Sequence, residues 1–302
     1  MVESKFGCLS FTLDSFSILQ AKVQKNAEYM SIMFLFLYLC IDVGTKTERQ
    51  VFIIMLDRNG KYILLGSCFS QYMGERMEAE GYDALCNPLG TLFNPESIRN
   101  TICHALEERG GSALPMFRDE AMQEWRCWWA NTRFRADNEE DARSLVQETF
   151  NTLDHALLHA DHLYLTLGTN VCYRLRQNGM VVSNCQRQPD CLFEENTLSV
   201  QEVSIVLNET IRCLLRKNPR LRITFTVSPF RYKKYGWHRS QLSKATLLLA
   251  IDEMQRKYPE QVDYFPSYEI MMDELRDYHY YASDGLHPSA EAVDIIWNRL
   301  CE

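Results

Sequence analysis

Two short stretches, far apart in the chain, carry residue types able to act on an acyl group. The first is Gly66-Ser67-Cys68-Phe69, between the apolar run Tyr62–Leu65 and a helix-like segment. A serine at such a strand-to-helix turn can present its hydroxyl at the sheet edge, with its own N–H near a helix end that favours negative charge. The same place also suits a serine that only caps the helix. The second stretch is Asp284-Gly285-Leu286-His287-Pro288. Asp and His three positions apart on one turn can meet, the carboxylate accepting Nδ1–H and leaving Nε2 free as a base. Gly90 and Gly168-Thr169-Asn170 offer a backbone N–H and a side-chain amide suited to an oxyanion. The set is then Ser67 as nucleophile, His287 as base, Asp284 as its orienter, and Ser67, Gly90 and Asn170 as oxyanion donors. That set, in the order Ser…Asp…His, suits acyl transfer through a covalent acyl-enzyme. Cys68 is read as a packing residue, because neighbouring side chains on such a turn point apart.

These groups need a scaffold that brings strand ends together. His162–Leu167 (HLYLTL) and Arg222–Val227 (RITFTV) read as strands rich in β-branched and aromatic residues, each followed by a turn. Tyr62–Leu65, Tyr82–Cys86 and Val262–Phe265 are shorter apolar runs. Helices are predicted over Phe69–Glu80, from a Ser199…Glu202 capping box onward, over Gln241–Arg256 and over Ser289–Leu300. Short apolar strands alternating with amphipathic helices indicate an α/β fold with a mainly parallel sheet covered on both faces. Its active site is expected at the carboxyl ends of the strands. Residues 97–150, with Trp125, Trp128 and Trp129, interrupt the alternation and are predicted to form a helical insertion beside the site.

The 302 residues carry a net charge of −8. That balance argues against a nucleic-acid partner, which calls for a basic face. The 11 cysteines are odd in number and contain no C-x-x-C, so neither a zinc ribbon nor a dithiol site is indicated. No metal or organic cofactor is expected, and reduced thiols suit a cytoplasmic location. The apolar run Met30–Ile41 is short for a bilayer span, which takes about 20 residues; export or a membrane tether through it is the alternative. Arg231 and Trp237 lie in a stretch that interleaves basic and aromatic residues, and are candidates for binding an anionic or sugar-like substrate.

The run Leu64-Leu65-Gly66-Ser67-Cys68-Phe69-Ser70 resembles the signature of GSCFA-domain proteins, with Ser70 where that name has alanine. The resemblance continues through Asn87-Pro88-Leu89-Gly90, Thr166-Leu167-Gly168-Thr169, Asn184-Cys185, Val227-Ser228-Pro229, Ser243-Lys244-Ala245, Tyr264–Glu269, Asp273–Tyr278 and Asp284–Pro288. It implies a domain over residues 58–302, preceded by an extension over 1–57. The family is similar in turn to the SGNH (GDSL-like) hydrolases. That similarity implies a flavodoxin-like three-layer α/β/α sandwich and a serine ester hydrolase, with Ser67, Asp284 and His287 as its triad and a small-molecule or carbohydrate ester as its substrate. Asn131, Gln186 and Tyr232 stand where relatives show histidine, so the pocket around the triad is expected to differ. A non-catalytic ligand-binding module and an acyltransferase are the alternatives.

Overall fold

The computed structural model describes residues 56–106 and 113–302. Met30–Ile41 and nearly all of the predicted 1–57 extension lie outside the described residues. The chain runs through β1 (Lys61–Gly66), α1 (Cys68–Ala79), β2 (Asp83–Cys86) and α2 (Pro95–Ala105). Next come β3 (Met116–Asp119), β4 (Glu124–Cys127), β5 (Arg135–Ala136), α3 (Glu139–His159) and β6 (His162–Leu167). Three short strands follow, β7 (Val171–Leu175), β8 (Val181–Val182) and β9 (Phe193–Thr197), and then α4 (Val200–Lys217). The chain closes with β10 (Arg222–Val227), α5 (Trp237–Lys257), β11 (Val262–Tyr264) and α6 (Ala290–Cys301).

Strand alternation explains the layers. Successive side chains of a strand point to opposite faces. Ile63 and Leu65 of β1, Leu163, Leu165 and Leu167 of β6, and Ile223, Phe225 and Val227 of β10 all enter one core. Buried residues of α2, α3, α4 and α5 complete that core, among them Ile98, Phe150, Leu207 and Leu247. Tyr62 and Leu64 of β1 and Tyr164 of β6 face the other side, against Phe69, Met73 and Met77 of α1 and Ile296 and Trp297 of α6. Each such apolar side chain, fully buried, contributes roughly 1.5–3 kcal/mol. Both faces of the sheet are covered, so the fold is a three-layer α/β/α sandwich.

The central sheet is parallel throughout, in the order β11-β10-β6-β1-β2. Counted among parallel strands only, this is the 2-1-3-4-5 order of flavodoxin-like sheets. The order reverses between β1 and β6, and ligands of such sheets bind outside the carboxyl ends at that switch point. Gly66 closes β1 there at φ 144°, where a Cβ would stand 2.2 Å from Thr166 O of β6. No side chain fits that approach, so the chain turns sharply into Ser67.

The insertion is not purely helical. Between α2 and α3 lies the antiparallel sheet β3-β4-β5, and a second one, β8-β7-β9, follows β6. Aromatic packing joins them: Trp128 stacks on Phe117 with ring centroids 3.8 Å apart, and its other neighbours include Leu175, Val182 and Phe193. Ser183 N–H donates to Trp128 O at 3.0 Å, and Trp129 Nε1–H to Val181 O at 3.2 Å. Trp128 and Trp129, which fall in the predicted helical insertion, therefore pack two small sheets together. The buried Arg126–Asp119 ion pair, 3.0 Å apart, sits in the first of them.

Candidate active site

Ser67 is the N-cap of α1. Its Oγ accepts from Phe69 N–H at 3.3 Å, and its backbone is extended while the helix begins at Cys68. The residue is 1% exposed. His287 and Asp284 share one loop ahead of α6. His287 Nδ1 lies 2.5 Å from Asp284 Oδ2, while Asp284 Oδ1 accepts the N–H groups of Leu286 at 2.8 Å and His287 at 3.0 Å. The bond from the His287 ring, followed by those two N–H groups, pulls the Asp284 carboxyl down to about 2. The carboxylate thus fixes the ring through Nδ1, and Nε2 is the imidazole atom left for a proton.

Ser67 and His287 come together along one cavity of about 360 Å³. Asp284 stands behind His287 and is not among the lining residues. No hydrogen bond joins Ser67 to His287 among the described residues; the hydroxyl is held by Phe69 N–H instead. Cys68 also lines the cavity, so the turn does not direct it wholly away from the site. Burial pushes its thiol up, away from the thiolate a nucleophile needs.

The groups named as oxyanion donors are already engaged. Ser67 N–H donates to Thr166 O at 3.1 Å and so extends the sheet ladder. Gly90 N–H closes a turn onto Asn87 O at 2.8 Å, and the Asn170 amide donates to Leu198 O at 2.6 Å. Neither Gly90 nor Asn170 lines the Ser67 cavity.

Arg231 and Trp237 also stand outside it. The Arg231 guanidinium lies over the Trp237 ring at 4.0 Å, with Tyr281 at 5.0 Å and Tyr278 at 5.4 Å. Its backbone N–H donates to Leu286 O at 3.0 Å, and the preceding Phe230 ring is 4.5 Å from the His287 ring. This pair of residues therefore braces the loop that carries His287.

Lys244, on α5, is a component that residue spacing did not reveal. Its Nζ donates to Gly168 O at 2.8 Å and Ser228 O at 2.7 Å, tying together the turns after β6 and β10. Its side chain is fully buried, and no carboxylate lies within ion-pair distance among the described residues. Burial pushes the amine down to about 7. Two carbonyls satisfy the two hydrogens of a neutral amine, which fits that direction. The Ser243-Lys244 segment of the family resemblance was the available signal.

Of the three positions that depart from histidine, only Tyr232 lines the cavity. Gln186 is wholly buried and donates through Nε2 to Cys127 O at 3.0 Å and to Ala130 O. Asn131 packs so closely on Gly90 that a Cβ there would stand 2.5 Å from Asn131 Nδ2.

The GSCFA family pattern matches residues 61–300. The chain belongs to the GSCFA family. No curated protein matches this GSCFA chain. Among solved structures it is similar to an acetyl xylan esterase from the rumen bacterium Butyrivibrio proteoclasticus, at TM-score 0.43 and 11% identity over 82% of this chain and 64% of that one. It is also similar to a candidate acylhydrolase from Bacteroides fragilis, at TM-score 0.41 and 10% identity over 82% and 87%. A third likeness is to a candidate platelet activating factor from Streptococcus pneumonia, at TM-score 0.39 and 15% identity over 90% and 97%. Among the described residues of this GSCFA protein, no group of three or more His, Cys, Asp or Glu could hold a metal ion, and no helix is long and apolar enough to cross a membrane.

Proposed function

We propose that this GSCFA protein is a serine ester hydrolase working through an acyl-enzyme on Ser67. One observation carries the reading: Ser67 and His287, from opposite ends of the domain, line the same cavity, and His287 is held through Nδ1 by Asp284. His287 Nε2 takes the Ser67 proton as Oγ attacks the ester carbonyl, then passes it to the departing alcohol. His287 next deprotonates a water that attacks the acyl-enzyme, and the acid leaves as Ser67 regains its proton. Catalytic hydrogen bonds in unliganded sites are often long and tighten when substrate binds. The open Ser67–His287 pair is consistent with that step.

Cys68 N–H replaces the spent donors in this reading. It is the first helical N–H of α1, has no backbone acceptor among the described residues, and belongs to a residue of the cavity wall. The helix end adds its partial positive charge.

Hydrolysis of short p-nitrophenyl esters by wild type, Ser67→Ala and Ser67→Gly tests the assignment. Ser67→Ala also removes a helix cap and should cost roughly 1 kcal/mol of stability; glycine costs only a few tenths. Both variants should lose activity while differing in stability. Equal rates in wild type and either variant reject Ser67 as nucleophile. The engaged donors favour one rival, a ligand-binding module without turnover, which predicts no hydrolysis of any ester by the wild type.

A further inference from the structure

We infer that the cavity beside Ser67 and His287 receives a hydrophobic acyl group of medium length in preference to acetyl, and that Phe93 and the β7–β8 hairpin set this preference. The inference rests on the hydrolase reading for its chemistry, but the shape and lining of the cavity support it separately.

The wall is mainly apolar. Val171, Val182, Phe93 and Phe230 line it, together with Tyr173 and Tyr232. Among the described residues, no Asp, Glu, Lys or Arg lines it. The Tyr173 hydroxyl is committed at the rim, within 3.1 Å of both Glu195 Oε1 and Tyr235 Oη. Three polar oxygens of the wall are also spent on the fold, whereas Ser183 Oγ is buried without a hydrogen-bond partner among the described residues. Asn94 Oδ1 accepts from Ser97 N–H at 2.9 Å, Asn184 Oδ1 from Gln186 N–H at 2.7 Å, and Thr169 Oγ1 from Val171 N–H at 3.1 Å.

A hydroxyl-rich group entering here would meet a mostly apolar wall, with Ser183 Oγ as an unpartnered polar atom, and would recover only part of its hydrogen bonding to water, which is unfavourable. An acetyl group would leave most of the 360 Å³ without contacts. An alkyl chain gains from every methylene it buries. The hairpin side of the wall is backed by the Trp128, Leu175 and Phe193 cluster, so it is firm. Phe93 is the accessible part, at 41% exposed, and its backbone carbonyl separately accepts the Gly168 and Thr169 N–H groups. Removing its ring therefore alters the wall without removing those bonds.

The test uses the full chain, with p-nitrophenyl acetate, butyrate, hexanoate and octanoate as substrates. Calorimetry with acetamide and octanamide, neutral probes that are not ester substrates, runs beside it. Wild-type kcat/KM should rise about two- to fourfold per methylene up to hexanoate, and octanamide should bind more tightly than acetamide. Phe93→Ala should lower the octanoate-to-acetate ratio at least about threefold. Ester hydrolysis that is fastest with acetate, with octanamide binding no better than acetamide, overturns the inference and leaves the hydrolase reading standing. Tight octanamide binding without hydrolysis of any ester upholds the cavity assignment and rejects the hydrolase. Neither hydrolysis nor binding rejects both.

Discussion

The two halves of the candidate site are built in contrasting ways. Ser67 is part of the central sheet: its N–H extends the β1–β6 ladder, Gly66 fixes its approach, and α1 starts on its side chain. Asp284 and His287 hang on a loop, with side chains 44% and 33% exposed. That loop is held from outside. His287 O accepts Ala282 N–H at 2.8 Å, Tyr280 O accepts Ser289 N–H at 2.7 Å, and Arg231 and Phe230 brace it from the turn after β10. In the proposed reaction, a sheet-fixed nucleophile and a loop-borne base can separate in the resting protein and meet on a substrate. Substitutions that only loosen the loop should therefore lower turnover without disturbing the sheet side.

The sharpest break is His287→Ala, which should lower ester kcat/KM by about 1,000-fold or more, close to the loss from Ser67→Ala, because the two act as one unit. Asp284→Asn should cost less, about 100-fold, since its partly exposed carboxylate steadies the ring less than a buried one does. With Asp284 held near 2, its carboxylate stays ionised across the working range. An acid limb of activity above about pH 4 therefore belongs to another group.

Arg231→Ala loosens the loop side alone. It should lower kcat about tenfold with little change in KM, and Arg231→Lys should restore part of the loss. A rise in KM at constant kcat would make Arg231 a substrate-binding residue, as its composition suggested.

The smallest effect concerns the turns that Lys244 ties together. Between about 7 and the ordinary lysine range, the unfolded chain holds a proton that the folded chain has released. Stability should therefore rise with pH through that window. Lys244→Met should remove that rise, as read by denaturant melts from pH 6.5 to 10. An unchanged slope would mean that the buried amine keeps its charge.

Much of the scaffold was legible in the sequence because its strands are buried and continuous. YILL, HLYLTL and RITFTV carry apolar residues at the spacing that feeds two cores, and the Ser199…Glu202 capping box is present at the start of α4. Ser67 and the Asp284–His287 turn were legible because each lies at a strand or helix end with its own local signal. The accessory strands were not. Val171–Leu175 and Glu124–Cys127 are short, mix apolar with charged residues, pair with neighbouring strands that are equally short, and are held by the aromatic packing around Trp128. The oxyanion donors show another limit. Gly90 and Asn170 have suitable chemistry, but residue type does not reveal that Asn87 O and Leu198 O already occupy them. Arg231 is similar: its charge suggested a ligand, whereas three aromatic rings of the protein surround it.

The central claim is that Ser67 becomes a nucleophile through His287. Peptide mapping after reaction with a fluorophosphonate probe tests it most directly, without requiring the natural ester. The account predicts a phosphonyl adduct on Ser67 in the wild type, much slower labelling in His287→Ala, and none at that position in Ser67→Ala. An unlabelled wild type, or an adduct on another residue with Ser67 unmodified, would contradict it.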